Sequence, residues 1–348
     1  MKMNPLGSSD LIVSELCLGT MTFGTQTCEV DAHTQIDMAL DRDINFLDTA
    51  EMYPVNPVKR ETIGRSEEII GNWLYKNTAR RNAIIVATKH SGEGLDKVRE
   101  GAPISSKTIP EAIEGSLRRL QTDYIDLYQL HWPNRGSYMF RKNWRFDPSS
   151  QNKAETLAHI EDTLEALQKQ VDKGNIGHFG LSNESAWGTA QWLRVSEERG
   201  WPRVVSMQNE YSLLCRLYDT DLAELSVNED VGLIAYSPLA AGLLTGKYQQ
   251  GAVPTGSRMA LNETLGGRMT DRTPAIVAAY LAVAQKYEVD PVHMALAWCC
   301  SRIFMASAIF GATTVAQLEH ALGAANVILS DEMISELDDV HQRNPMPF

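Results

Sequence analysis

The sequence is short of the features that mark several protein classes. It has no apolar run long enough to span a bilayer, and its start, MKMNPLGSSD, has no apolar core of a secretory signal. Positive charge is in deficit: 32 Lys and Arg stand against 44 Asp and Glu, a net charge of −12. That excludes a broad nucleic-acid or acidic-membrane surface, although a local basic pocket stays compatible. Cysteines are five, an odd number: Cys17, Cys28, Cys215, Cys299 and Cys300. They show no paired or metal-ligand spacing, so a reduced, cytoplasmic setting without disulfides or a metal is expected.

The usual nucleotide glycine motifs are missing too. Gly174, Gly177 and Gly180 do not spell G-x-G-x-x-G and precede a strand instead of following one. Gly242 to Lys247 is one residue short of a P-loop, and a tyrosine follows the lysine. Gly180-Leu181-Ser182 lacks the second glycine of a nucleophile elbow. No Ser/Gly/Pro-rich linker or composition shift divides the 348 residues, so one domain over 1–348 is expected.

What is present is a regular alternation. The first residues, around Gly7-Ser8-Ser9-Asp10, read as a β-hairpin. Short apolar runs then end at Gly19, Asp48, Lys89, His131, Ser182-Asn183, Gln208-Asn209, Tyr236-Ser237 and Gly311. Stretches with apolar residues at helical spacing follow most of them, such as 66–75, with Ser66 as its expected N-cap. Eight strands with helical crossovers predict an α/β fold, a (β/α)8 TIM barrel with an N-terminal β-hairpin. Three long segments, 91–106, 133–155 and 243–273, then fall as loops on the C-terminal face, where barrel active sites are built.

The second, third and fourth strands end in Asp48, Lys89 and His131, and Tyr53 lies just past the second. One strand-end aspartate or lysine is an ordinary rim residue. Four such groups at adjacent strand ends form a proton donor with its support. Hydride addition to a carbonyl leaves an alkoxide that needs a proton, and a tyrosine near its usual pKa of ~10 is a poor acid. An ammonium beside it stabilises phenolate, a carboxylate holds the ammonium, and a histidine polarises the carbonyl oxygen. His90 points to the opposite face by strand alternation. The strand ends carry no ligand cluster for a metal-dependent barrel lyase or isomerase. Cys299-Cys300 reads as core. The segment YMFRKNWRF, Tyr138 to Phe146, is expected to pack over the barrel mouth, with Arg141 or Arg145 favouring an anionic or polar substrate, in preference to binding nucleic acid.

The segments LGTMTFG, FLDTAEMY, ATKH, LRRLQTDYIDLYQLHWP, GLSNES, MQNEYSLL, AYSPLAAGLLTGKY and FGATTVAQL run through the whole chain in order. Together they resemble the aldo-keto reductase family, and within it the bacterial Tas-like branch. The resemblance implies NADP(H) as cofactor and Asp48, Tyr53, Lys89 and His131 as the catalytic set, with Tyr53 the general acid. It implies a small-molecule carbonyl or alcohol substrate, met by Met52, Tyr53, His131 and Trp132. Gly19, Thr20 and Met21 would lie near the nicotinamide ribose, with Asp48 beside them. Ser182, Asn183 and Gln208 would hold the carboxamide, and Tyr236 would stack on the ring. Ser237, Pro238, Leu239, Ala240 and Gly242 would follow the pyrophosphate. Lys247 and Arg258 would bracket a 2′-phosphate, and Gly311, Thr313 and Gln317 would bind the adenosine half.

One departure stands out: by the resemblance, many relatives carry a Glu-Asn pair three residues after the glutamine that contacts adenine, and this chain has His320-Ala321 there, which bears on the adenine contacts and on the preference for NADP(H) over NAD(H). The same family includes potassium-channel β subunits that bind the nucleotide as redox-sensing partners, the alternative role. No extra N-terminal segment precedes the hairpin to plug a pore, which favours the enzyme. The expected partners are therefore the small molecule and cofactor, with no nucleic acid or membrane; oligomeric state is left open.

Overall fold

The structure is a computed structural model and describes residues 1–348. Two short strands, β1 (Met3–Pro5) and β2 (Ile12–Ser14), pair antiparallel as the expected hairpin. The chain then alternates: β3 (Leu16–Gly19), α1 (Glu29–Leu40), β4 (Phe46–Asp48), α2 (Arg65–Lys76), β5 (Ile85–His90) and α3 (Thr108–Leu120). Next come β6 (Ile125–Leu130), α4 (Lys153–Asp172), β7 (Ile176–Ser182), α5 (Ala186–Arg199), β8 (Val204–Glu210) and α6 (Asp221–Asn228). The last unit holds β9 (Gly232–Tyr236), α7 (Arg258–Leu261), α8 (Thr273–Lys286), α9 (Pro291–Cys300) and β10 (Met305–Phe310). The chain finishes with α10 (Val315–Leu322) and α11 (Asp331–Arg343). Strands β3 to β10 pair in parallel and close on themselves, giving the eight-stranded barrel.

Strand alternation explains how the barrel makes both a floor and a site. Phe46, Ala87 and Leu127 share an apolar cluster with Cys17, Val205, Ile234 and Ile309 inside the barrel. Leu6 and Val13 of the hairpin join that cluster, so the hairpin closes the floor. Side chains two positions on share the same face. Asp48, Lys89 and Gln129 therefore form the next layer up, toward the C-terminal mouth. The main hydrophobic core lies between the barrel and its helices, with Trp73, Tyr128, Phe179, Tyr280 and Trp298 among its buried side chains. Cys299 lies in it, as the sequence implied.

Two local readings change. Ser66 does not cap α2: Gly64, at φ 83°, starts the helix, and Ser66 lies inside it, donating its hydroxyl to the Phe23 carbonyl at 2.9 Å. A left-handed entry of this kind suits glycine, so the cap signal of a serine two residues further on was misleading. The 243–273 loop is also not without structure. It contains α7, capped by Ser257, whose hydroxyl accepts from the Ala260 amide.

Candidate active site

The strand ends bring the four predicted side chains together. Lys89 Nζ donates to Asp48 Oδ2 at 2.7 Å and to the Thr49 carbonyl at 2.6 Å, and it is fully buried. Its Nζ lies 5.0 Å from the centre of the Tyr53 ring. The His131 ring meets Tyr53 edge-on, with centroids 5.9 Å apart. Trp132 continues the aromatic wall 5.0 Å from His131, and Phe140 follows at 6.4 Å. The Trp132 indole donates to the Glu93 carbonyl at 3.1 Å and packs so tightly over Gly92 that a Cβ there would overlap it. Met52, half-buried, precedes Tyr53 on the same turn.

The electrostatics of these groups follow from burial and from one another. Burial opposes the charge on Lys89, but Asp48 and Tyr53 outweigh it, so the ammonium titrates above the usual lysine value. Burial pushes the Tyr53 phenol up, and Lys89 pulls it down by less. The sequence reading expected lysine to prevail; instead desolvation does, and Tyr53 holds its proton at neutral pH. Burial, with Lys89 nearby, keeps His131 well below the usual histidine range and therefore neutral. His131 Nδ1 is buried without a partner.

A layer of amides under the site was only partly foreseen. The Gln208 amide donates to Asp48 Oδ1 at 2.8 Å and to Gln129 Oε1 at 3.0 Å. Both its hydrogens are engaged, so Oε1 is the part left for another molecule. Gln129 also donates to Asp48 Oδ1 at 3.3 Å. Gln129 was missed, although it shares strand parity with His131. Ser182 donates to the Gln208 carbonyl at 2.8 Å. The Asn183 amide donates to the His131 carbonyl at 2.9 Å, and the Tyr236 hydroxyl donates to Asn183 Oδ1 at 2.8 Å. Thr20, after Gly19, donates to the Asp48 carbonyl at 2.9 Å, and the Met21 carbonyl accepts from the Val55 amide.

Beyond β9 the backbone turns unusual. Ser237, Ala240, Ala241 and Gly242 all have positive φ, at 57°, 48°, 58° and 91°. Within this turn the Ala240 and Gly242 amides donate to the Ser237 and Leu239 carbonyls at 2.8 and 2.9 Å. Pro238 and Leu239 lie within it. Beside it, Glu210 accepts from Arg268 Nε at 2.7 Å and from Arg141 at 2.8 Å, both inside the mouth. Arg268 also reaches the Ser237 hydroxyl at 3.3 Å. Neither Glu210 nor Arg268 was singled out in the sequence. Arg141 is thus committed to Glu210, leaving exposed Arg145 for the anionic-substrate role expected of that pair.

A third guanidinium, Arg258, stands next to this ion triple with its Nε buried and unpartnered. Burial and Arg268 lower its pKa to about 10. An orphaned guanidinium nitrogen beside two positively charged neighbours fits an anionic group, and so fits a phosphorylated cofactor. Lys247 is exposed, with Nζ 5.2 Å from the Tyr248 ring centre. After Gly311, the amide and hydroxyl of Thr313 both donate to Gln317 Oε1 at 3.0 Å. The Gln317 side-chain oxygen is therefore turned to Thr313, and its amide hydrogens remain. His320 turns its ring to Asp290, 2.9 Å away, and Ala321 is buried.

A closed parallel barrel with this polar layer at its C-terminal mouth agrees with the sequence comparison: the chain belongs to the Aldo/keto reductase family, whose profile matches residues 15–342. It is an oxidoreductase by that membership, in the Tas-like bacterial branch. It is 42% identical to "Protein tas" of Escherichia coli K12 over 98% of both chains. It is 31% identical to "Uncharacterized oxidoreductase YrpG" of Bacillus subtilis, over 96% of this chain and 94% of that one. A "Probable voltage-gated potassium channel subunit beta" of Arabidopsis thaliana is also 31% identical, over 99% of this chain and 98% of its own. No helix is long and apolar enough to cross a membrane.

Proposed function

We propose that this protein is an NADP(H)-dependent reductase of aldehydes or ketones, reversible with alcohols, using Tyr53 as its general acid. The carrying observation is the buried Lys89–Asp48 pair set 5.0 Å from the Tyr53 ring. NADP(H), when bound, supplies the hydride. Tyr53, protonated at neutral pH, then gives its proton to the substrate oxygen, and Lys89 stabilises the phenolate left behind. Asp48 keeps Lys89 charged and in place, helped by Gln208 and Gln129 on its other oxygen. Neutral His131 donates one hydrogen bond to the carbonyl oxygen as charge develops there. Trp132 and Met52 line the approach of the substrate.

The cofactor would lie with its carboxamide on Asn183 and Gln208 Oε1 and its ring on Tyr236. Its phosphates would meet the turn from Ser237 to Gly242, and Arg258 and Lys247 would favour a 2′-phosphate. The adenosine half would pass Gly311, Thr313 and Gln317. Two measurements test the proposal: NADPH consumption against a panel of carbonyls, and fluorescence titration with NADPH and NADH. A protein that binds neither nucleotide, or binds NADPH but oxidises it with no carbonyl of the panel, contradicts it.

The similarity to a potassium-channel β subunit supports a second reading, a nucleotide-binding regulatory partner. Stoichiometric capture of a membrane protein, together with a single stalled turnover, would favour that reading over the enzyme.

A further inference from the structure

Away from the barrel mouth, the structure gathers three chemically matched side chains. Asp290, His293 and His320 each offer one ligand atom, and the three atoms lie within 4.8 Å of one another. We propose that they form a divalent transition-metal site of the Zn2+ class that joins α9 to α10.

Each residue is already oriented for the task. Asp290 is the N-cap of α9: its Oδ1 accepts from the amides of Val292 at 2.8 Å and His293 at 3.2 Å. That fixes the carboxylate and presents Oδ2, which accepts from His320 Nε2 at 2.9 Å; the ion would take the place of that hydrogen, with the His320 proton moved to Nδ1. His293 Nε2 lies 2.6 Å from the His320 carbonyl. A carbonyl only accepts, so Nε2 carries the hydrogen and Nδ1 keeps the lone pair. A histidine that gives one ring N–H to a backbone carbonyl and keeps the other nitrogen free is the arrangement found in metal sites. The His293 ring is seated against Gly323, where a Cβ would overlap it, so a larger residue could not stand beside it. The two imidazoles stand 5.0 Å apart at 63°.

The donor set selects the ion. Two imidazoles and one carboxylate, with no thiolate, suit Zn2+, Co2+ or Ni2+ over Cu+ or Ca2+. Bonds of about 2.0–2.1 Å in a tetrahedron place donors about 3.4 Å apart, so small side-chain rotations close the present spacing. Asp290 and His320 are partly open to solvent, at 34% and 50%, which leaves a fourth position for water. Two neutral rings and one carboxylate bring a single negative charge to a dication. The ion would clamp α10 one turn beyond Gln317.

The test is titration of the metal-stripped full chain with Zn2+ by calorimetry, and with Co2+ by visible absorption. The expected result is one saturable site. His293→Ala, His320→Ala and Asp290→Asn should each weaken it by at least about tenfold. Asparagine keeps the cap of α9, so that variant separates lost ligation from lost folding. Zn2+ should also raise the melting temperature of the wild type and not of the His293→Ala/His320→Ala double variant. Every variant retains exposed Cys28. Equal Zn2+ binding by wild type and the double variant would assign the ion elsewhere and overturn the proposal, as would a wild type with no saturable binding.

Discussion

Lys89 and Asp48 form an ion pair of 2.7 Å in which both side chains are removed from solvent, at 0% and 4% exposure. Such a pair resists removal of one partner more than removal of both. Asp48→Ala strands a buried ammonium and should cost about 3–5 kcal/mol in urea unfolding. The double variant Asp48→Ala/Lys89→Met should lose less than the single one. A double variant less stable than Asp48→Ala would show that the pair does not set the stability of this layer.

Arg258 carries the predicted preference for a phosphorylated cofactor, because its Nε is buried without a partner beside Arg268. A charge-assisted hydrogen bond contributes about 1.5–3 kcal/mol, or roughly a factor of 10–100 in affinity. Arg258→Ala should therefore raise the Kd for NADPH by that factor and leave the Kd for NADH nearly unchanged. Equal losses for both nucleotides would place Arg258 elsewhere than the 2′-phosphate.

His90 lies outside the barrel interior, bonded to Thr108 at 3.0 Å and to the Ser91 carbonyl at 2.6 Å. Burial lowers its pKa from 6.5 to about 4. The unfolded chain takes up a proton near pH 6.5 and the native one does not, so stability is full above that value. It is lost as pH falls toward about 4, by roughly 3 kcal/mol from this group. The pH dependence of urea unfolding should be shallower in His90→Gln across that window. Parallel curves for the two proteins would contradict the assignment.

Gly92 gives Trp132 its place beside His131. Gly92→Ala should displace the indole and raise KM for the carbonyl several-fold, with the Kd for NADPH unchanged. An unchanged KM would remove Trp132 from the substrate wall.

Much of this was legible in the sequence because strand alternation is regular. Asp48, Lys89 and His131 each end an apolar run; Phe46 and Ala87, two residues back from the first two, and Leu127, four back from the third, lie on the apolar floor. What the sequence hid depends on three dimensions. Gln129 supports Asp48 from another strand, and Glu210 gathers Arg141 and Arg268 from two separate loops. The rise in the Tyr53 pKa was hidden as well: spacing places Lys89 beside the phenol, but only the packed site shows burial prevailing. Asp290, His293 and His320 meet only once α9 and α10 are packed, so no local spacing announced them.

The central claim is that Tyr53 delivers the proton. The direct measurement is steady-state NADPH oxidation, at saturating NADPH, with an accepted carbonyl substrate, comparing wild type with Tyr53→Phe. The account predicts a fall in kcat of about 10²–10⁴-fold, with the Kd for NADPH unchanged. Equal rates from the two proteins would contradict it.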